Sequence, residues 1–135
     1  MCIEKTLVES FYFEVWNKRN HREAHAILAD DFMFRGSLGD EKKGVDGFLE
    51  YVDAVHTALG DYECVINDLV VDAGKVAARM TFQGIHQDIF FGVKPTHKKI
   101  EWGGAAFFEV RQSKIQSLWV LGDIDSIKSQ LARIQ

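Results

Sequence analysis

Apolar residues recur at helical spacing in the first part of the chain, with polar residues between them. This spacing predicts an amphipathic helix that fades at residues 17–20. Its apolar positions are Ile3, Leu7, Val8, Phe11, Val15 and Trp16. Residues 22–29 predict a second, shorter helix, and residues 45–59 predict a third that stops at Gly60. Between the last two helices, residues 32–35 are typical of a short strand that leads into the loop GSLGDEKKG.

From residue 61 onward the period changes to that of strands. Four alternating or β-branched runs follow, at 62–71, 75–86, 98–110 and 115–123. The turn Asp72-Ala73-Gly74 predicts a hairpin, and the chain ends in a helical pattern that carries Ile127, Leu131 and Ile134. Helices first and strands later predict an α+β fold, with helices packed on a curved, mainly antiparallel sheet that closes into a cone. Glycines within the strands are expected to permit bulges and bending. They are Gly84, Gly103, Gly104 and Gly122.

Size and charge narrow the class of protein. The 135 residues suit one domain spanning 1–135. A net charge of -4 with no long Lys/Arg run argues against nucleic acid and anionic membranes as partners. No long apolar run or basic leader is visible, so we expect a cytoplasmic protein. Cys2 and Cys64 give neither a disulfide framework nor a metal motif, and we expect two reduced thiols.

Sixteen aromatic residues and the alternation of the strands predict an apolar pocket inside the cone. Alternation places Phe82 and His86 on an inward face, with His86 near the wide end of the cone. His86 can act on a ligand carbonyl or be a hydrogen-bonded structural group, and it is the first choice for a polar pocket residue. On the next strand, small residues beside two aromatic side chains leave room either for a ligand or for a helix. The inward positions of that strand include Trp102, Ala106 and Phe108.

Three further side chains are candidates for the same space. Tyr12 and Tyr51 lie on the sheet-facing edges of their helices and can offer hydroxyls. Arg35, at the end of the first strand, can bind a carboxylate or an enolate oxygen, or form a surface salt bridge.

Metal and cofactor motifs are absent from the sequence. HREAH pairs His21 with His25 but does not fit HExxH, and no third ligand has a recognisable spacing. GSLG is not the GxSxG elbow, and no phosphate-binding loop is present. We therefore expect neither a metal nor a cofactor.

Several segments resemble the SnoaL-like group, also called ester cyclases, of the nuclear transport factor 2 superfamily. They include FYFEVWNKRNHREAHAILADDFMFRG, KGVDGFLEYVDAV, FFGVKPTHKKIEWGGAAFFEV and SKIQSLWVLGDIDSIKSQL, which together span nearly the whole chain. The resemblance implies a cone-shaped α+β fold with an apolar pocket and frequent homodimers through the outer sheet face. The polyketide cyclases of this group close a ring by an aldol reaction, using an aspartate and a histidine. Those two positions are held here by Val120 and Ala106. The resemblance therefore implies the pocket but not the catalytic aspartate and histidine.

The two aspartates near the end of the chain have different predicted roles. Asp125 directly precedes SIKSQL and is predicted to cap the last helix. Asp123 has no such role in this interpretation, and it shares strand parity with Trp119 rather than with Val120. A bulge at Gly122 would turn Asp123 toward His86 as an acid/base pair; without a bulge, Asp123 points away from the pocket.

Three functions compete on this evidence. The first is an enzyme for cyclisation, isomerisation or hydrolysis of a small hydrophobic carbonyl compound, with His86, Asp123 and Arg35 as catalytic groups. It would lose those groups if all three lay outside the cavity. The second is a binding protein without chemistry, which an apolar and aromatic lining including Val120 would favour. The third is an interaction scaffold working through Ala105 and Phe107 on the outer sheet face, which a very small cavity would favour.

Overall fold

The computed structural model describes residues 2–133, so the predicted contribution of Ile134 lies outside the described residues. The helices are α1 (Ile3–Ser10), α2 (His21–Ile27), α3 (Val45–Ala58) and α4 (Ile124–Arg133). A π-helical segment, Phe11–Trp16, directly continues α1. The strands are β1 (Leu28–Arg35), β2 (Glu41–Lys43), β3 (Leu59–Asp72), β4 (Lys75–His86), β5 (Lys99–Arg111) and β6 (Lys114–Gly122). None of the helices within residues 2–133 has the length and apolar character needed to cross a membrane.

The strands form one six-stranded sheet in the order β2-β1-β6-β5-β4-β3. Every neighbouring pair is antiparallel except β1 and β6, which run parallel. The predicted hairpin is confirmed: Asp72 pairs with Lys75 across a two-residue turn in which Ala73 and Gly74 both have positive φ. This turn geometry matches the right-handed twist of the flanking strands. The predicted α+β fold with a curved, mainly antiparallel sheet is therefore confirmed.

The π-helical segment sets the direction of the first helix where it meets the sheet. The Asn17 amide donates to the Tyr12 carbonyl, five residues earlier, at 2.9 Å. The Asn17 side chain then forms two hydrogen bonds with the backbone of Cys64 in β3, at 2.8 and 3.0 Å. A π-helical turn is wider than an α-helical turn, and here it brings four of its six residues into the core. The sequence pattern predicted a regular helix because a spacing of three to four does not distinguish the two.

Several predicted boundaries were wrong, and tertiary pairing explains each difference. β1 begins at Leu28 rather than 32, because Leu28 pairs with Ile115 of β6. The loop GSLGDEKKG contains β2, which pairs with the end of β1. The end of α3 was predicted correctly: the helix ends at Ala58 with Leu59 as its C-cap, so Gly60 occupies the C′ position, although it has no positive φ and pairs with Ile85 in β3. At β1 and β2, long-range strand pairing outweighs the local signal.

The strand glycines differ in their surroundings. Gly84 lies at a register shift, since Asp61 and Tyr62 of β3 stand opposite this one residue of β4. No register shift lies at Gly103, Gly104 or Gly122, so the bulges predicted there were wrong. A Cβ on Gly104 would lie 2.8 Å from the Phe82 ring, and a Cβ on Gly84 would lie 2.8 Å from the Leu59 side chain. Both distances are shorter than real Cβ contacts, so these glycines make room for a core side chain.

Aromatic rings fill the space between the helices and the sheet. The Phe11 ring lies at the centre, with ring centroids of four neighbours 5.1 to 6.3 Å away. These neighbours are Tyr12, Phe32, Phe48 and Phe108. Edge-to-face and offset pairs of this kind add to the free energy gained from burial alone. The interior of the fold is therefore largely occupied by side chains.

The last helix docks on β5 where β6 has already ended. The Gln130 side chain forms hydrogen bonds with both the amide and the carbonyl of Glu101, at 3.0 and 2.6 Å. The Asp123 amide donates to the Gly103 carbonyl on the same edge. These bonds satisfy backbone groups of β5 that no longer have a strand partner on that side.

The predicted roles of the two aspartates are reversed. The Asp123 carboxylate accepts a hydrogen bond from the Ser126 amide at 3.0 Å, which makes Asp123 the N-cap of α4. Asp125 lies within the first turn of the helix. The prediction was wrong because the helix starts at Ile124, two residues earlier than the pattern indicated. From Ser117 to Gly122, β6 pairs regularly with β5, so no bulge at Gly122 turns Asp123 inward.

This cap can be tested with two matched substitutions. We expect Asp123→Ala to lower the free energy of unfolding by about 1 kcal/mol, because the first-turn amide loses its acceptor. Asp125→Ala removes only an interaction with the helix dipole, and we expect a loss of a few tenths of a kcal/mol. Urea unfolding of both variants measures the difference. An equal loss in the two variants would contradict the assignment of Asp123 as the cap.

Candidate functional site

A small cavity lies between the helices and the concave face of the sheet. Its volume is about 20 Å³, which is room for about one water molecule. Its walls come from the π-helical segment, from α3, from four strands and from the loop that follows β1. The lining residues are Tyr12, Trp16, Phe34, Ser37, Leu38, Tyr51, Val55, Tyr62, Phe82, Leu118 and Val120.

The Tyr12 hydroxyl is the one buried side-chain polar atom without a hydrogen-bond partner within residues 2–133. The Tyr12 side chain is 1% exposed. The π-helical turn directs its ring against Phe11 and Phe108, with centroid distances of 5.1 and 5.8 Å. A buried hydroxyl without a partner costs about 1–3 kcal/mol. One of the residues that line the cavity therefore carries an unused hydrogen-bond donor.

The other polar side chains among the lining residues are those of Tyr51, Tyr62 and Ser37, which carry hydroxyl groups, and Trp16, which carries an indole N–H. Ser37 accepts a hydrogen bond from the Trp102 indole at 3.3 Å. Burial raises the pKa of Tyr12, of Tyr51 and of Tyr62 well above the usual value near 10, since the phenolate would lose its hydration. The phenols are therefore neutral hydrogen-bonding groups. None of the described lining residues is a carboxylate or an imidazole.

Four of the seven predicted ligand-binding residues line the cavity: Tyr12, Tyr51, Phe82 and Val120. Trp102, Ala106 and Phe108 are inward-facing and buried, but they lie outside the lining. The Phe108 ring packs against Phe11 and Tyr12, and the Trp102 ring packs against Phe82 and other aromatic rings. The small residues of β5 therefore make room for protein side chains rather than for a ligand.

His86 is fully buried and organises the loop between β4 and β5. Its Nδ1 accepts from the Thr96 amide at 3.3 Å and lies 3.0 Å from the Thr96 hydroxyl. Its Nε2 lies 3.1 Å from the Val93 carbonyl, which it can reach only as a donor. The backbone of His86 also pairs with Lys98 and His97. Both ring nitrogens are thus engaged with the loop, and His86 is not among the residues that line the cavity.

Arg35 lies on the convex side of the sheet. Its guanidinium group donates to the Val120 carbonyl and stacks on the Trp119 ring, with the guanidinium carbon 5.1 Å from the ring centroid. No carboxylate forms a salt bridge with Arg35 within residues 2–133. The expected surface salt bridge is therefore replaced by a cation–π contact.

The three predicted catalytic residues do not meet in the structure. Asp123 is exposed and caps α4, Arg35 lies on the outer face, and His86 is enclosed by its own loop. The acid/base pair of Asp123 and His86 required a bulge at Gly122 that the sheet does not have. Their catalytic roles stay predictions, without support from the geometry of the cavity.

The two histidines of HREAH are engaged separately. His21 lies 3.4 Å from the Asp53 carboxylate, and His25 lies 3.5 Å from the Asp46 carboxylate. Within residues 2–133 no group of three or more His, Cys, Asp or Glu side chains is arranged to hold a metal ion.

Sequence reasoning missed seven lining residues. Most belong to predicted apolar faces, where nothing marks one core residue as lining a cavity. The loop residues Ser37 and Leu38 carried a usable signal, since a leucine in an otherwise polar loop suggests a buried contact. The missed residues are Trp16, Phe34, Ser37, Leu38, Val55, Tyr62 and Leu118.

The buried phenols predict a loss of stability at high pH. The folded chain keeps the Tyr12 proton as the pH rises through about 10, whereas the unfolded chain loses it. This contribution to stability is therefore fully present below pH 10 and is lost above it. Above pH 10 the free energy of unfolding falls as the pH rises. We expect this fall to be less steep in Tyr12→Phe than in the wild type, by about 1.4 kcal/mol per pH unit. Urea unfolding at several pH values measures this, and parallel curves for the two proteins would contradict it.

Comparisons with known proteins give one family model and several similar structures. The model of the SnoaL-like polyketide cyclase family matches residues 6–131. TsrD from Streptomyces laurentii superposes with a TM-score of 0.84 at 21% identity, covering 96% of this chain and 94% of that one. A SnoaL-like polyketide cyclase from Agrobacterium tumefaciens superposes with a TM-score of 0.82 at 21% identity, covering 97% and 99%.

IdmH from Streptomyces antibioticus is similar as well, with a TM-score of 0.82 at 23% identity, covering 95% of this chain and 97% of that one. At these identities the structural matches show the fold alone. No curated protein matches the sequence significantly. The match of the family model to nearly the whole chain, together with the fold, shows that the chain belongs to the SnoaL-like polyketide cyclase family.

Proposed function

We propose that this protein binds a small, largely apolar carbonyl compound in its interior cavity and supplies no acid–base chemistry to it. The observation that carries the proposal is the Tyr12 hydroxyl, which is buried and has no partner and belongs to a residue that lines the cavity. A ligand that accepts a hydrogen bond there would recover the free energy that the unpaired group costs.

The cavity wall favours this class of ligand. Aromatic and aliphatic side chains form most of the wall, and the polar side-chain atoms of the lining residues are a few hydroxyl groups and the Trp16 indole N–H. Pockets of this composition take apolar molecules and orient them with a small number of hydrogen bonds. A carbonyl oxygen suits a neutral phenol, since it accepts a hydrogen bond without bringing a charge into the core.

The same wall argues against the acid–base reaction of the cyclases. A general acid or base must lie within hydrogen-bond reach of the substrate. The positions that the family resemblance assigns to the aspartate and the histidine are Val120 and Ala106, and both side chains are buried and apolar. The raised pKa values of the three tyrosines keep their phenols protonated near neutral pH, so they do not replace the missing base.

Two probes of nearly the same shape test the role of Tyr12. Acetophenone carries a carbonyl oxygen, whereas α-methylstyrene has a methylene group in its place. We expect the wild-type protein to bind acetophenone more tightly than α-methylstyrene. In Tyr12→Phe the affinity for acetophenone should fall by about five- to tenfold, since one hydrogen bond is lost. The affinity for α-methylstyrene should stay unchanged in the variant. Isothermal titration calorimetry measures all four affinities.

Each alternative has a distinct outcome in this experiment. Equal affinity of the wild type for both probes would show that Tyr12 does not select an acceptor. Absence of binding for both probes would favour the scaffold function. Turnover of a carbonyl compound that is lost in a folded His86→Ala variant would instead favour the enzyme.

We also propose a homodimer through the outer face of the sheet. One cross-strand row on that face runs through all six strands and carries three exposed apolar side chains, Val70, Phe107 and Trp119. The Phe107 and Trp119 rings lie 6.0 Å apart. Exposed apolar side chains that form a contiguous row mark interaction surfaces rather than ordinary solvent-facing positions.

A charge placed in the middle of this row tests the dimer. We expect the wild type to have about twice the chain mass of 15.4 kDa, and Phe107→Asp to be a monomer because a carboxylate there would be desolvated. Phe13→Asp is the matched control, since Phe13 is an exposed phenylalanine on the helical side of the fold. Light scattering coupled to gel filtration gives the masses. A monomeric wild type, or dissociation in both variants, would overturn the proposal.

A further inference from the structure

We propose that the loop of residues 36–40 is the gate of the cavity, and that Gly122 is the position on which this gate closes. The inference rests on the proposed function, since a gate matters only if the cavity takes a ligand. A cavity of about 20 Å³ has no room for a molecule the size of acetophenone. Part of its wall must therefore move before such a ligand enters.

The loop is the part of the wall that moves at the lowest cost. Ser37 and Leu38 are the described lining residues that belong to neither a helix nor a strand. Displacing a strand or the π-helical segment would break sheet pairing or the aromatic core. Displacing the loop would expose Leu38, which is only partly buried. Segments with few buried apolar contacts open with the smallest free energies.

Few bonds attach the loop to the rest of the protein. Within residues 2–133, one side-chain hydrogen bond does so, from the Trp102 indole to the Ser37 hydroxyl at 3.3 Å. The two backbone hydrogen bonds of the loop are internal, from the Gly36 amide to Asp40 and from the Gly39 amide to Gly36. These internal bonds would persist if the loop moved as a unit. The Trp102 contact therefore acts as the latch of the closed state.

Gly122 lets the loop approach the end of β6. A Cβ placed on Gly122 would lie 2.9 Å from the Ser37 side chain and closer still to the Ser37 carbonyl oxygen. Gly122 has no positive φ, so an alanine there is not strained by its own backbone. An added methyl group at this position would thus act mainly by pushing the loop away from the strand.

Gly103 provides a matched control on the neighbouring strand. A Cβ on Gly103 would meet only the Met80 carbonyl oxygen, at 3.7 Å, which is an ordinary contact. Both changes add one methyl group to a strand glycine of the same sheet, and they differ in their effect on the loop. A comparison of the two variants separates gate opening from a general effect of alanine in a strand.

Opening can be measured without any ligand. Trp16 lines the cavity and Trp102 holds the latch, and both are buried, whereas Trp119 is exposed. In a Trp119→Phe background, acrylamide quenching of the remaining tryptophan fluorescence reports how often the loop opens. We expect Gly122→Ala to raise the quenching constant by about fivefold and Gly103→Ala to leave it unchanged. Ser37→Ala should raise it as well, because a hydrogen bond of ordinary strength is lost.

The association rate of acetophenone, followed in the same variants by stopped-flow fluorescence, links opening to entry. We expect it to rise with the quenching constant in Gly122→Ala and Ser37→Ala. If Gly122→Ala folds and its quenching constant equals that of Gly103→Ala, the gate proposal is overturned. If Gly122→Ala does not fold, unchanged quenching in Ser37→Ala overturns it instead. Increased quenching without acetophenone binding in any variant would leave the gate standing and refute the proposed function.

Discussion

The packing of aromatic rings around Phe11 is the constraint on which the rest of this structure depends. Four rings surround Phe11, and they come from the π-helical segment, β1, α3 and β5. Rings packed at native density leave little space, since interiors tolerate few voids larger than a water molecule. Side chains therefore occupy most of the space between the helices and the sheet. What remains is a small space whose chemistry is set by the tyrosines at its edge.

The hydrogen bonding of the buried polar side chains follows from the same packing. His86 is buried without a charged partner because the loop between β4 and β5 supplies a donor and an acceptor to its two ring nitrogens. Asn17 is satisfied in the same way by the backbone of Cys64. Tyr12 differs from both, since it lines the cavity and its buried hydroxyl has no hydrogen-bond partner. A phenylalanine would fill this position without that cost, so the hydroxyl is the feature of the core that packing does not explain.

The sequence predicted the architecture well because the fold depends on long periodic patterns. The strand β4 and the hairpin at Ala73 and Gly74 were predicted at their observed positions, since alternation and turn chemistry agree there. The cavity was predicted only in part. Strand parity correctly placed Phe82 and Val120 inward, but parity does not tell whether an inward residue such as Phe108 faces a void or another ring. Such distinctions depend on packing across elements that are distant in sequence.

The polar candidates failed for a related reason. Arg35 and Asp123 were selected by chemical type and strand end, yet each is used by a local contact, the Trp119 ring in one case and the first turn of α4 in the other. A charged group near a cavity is held outside it unless the interior offers a partner, because burial of an unpaired charge is costly. The described lining of the cavity consists of aromatic and aliphatic side chains and a serine, with no charged side chain among them. Neither Arg35 nor Asp123 would therefore find a charged partner there.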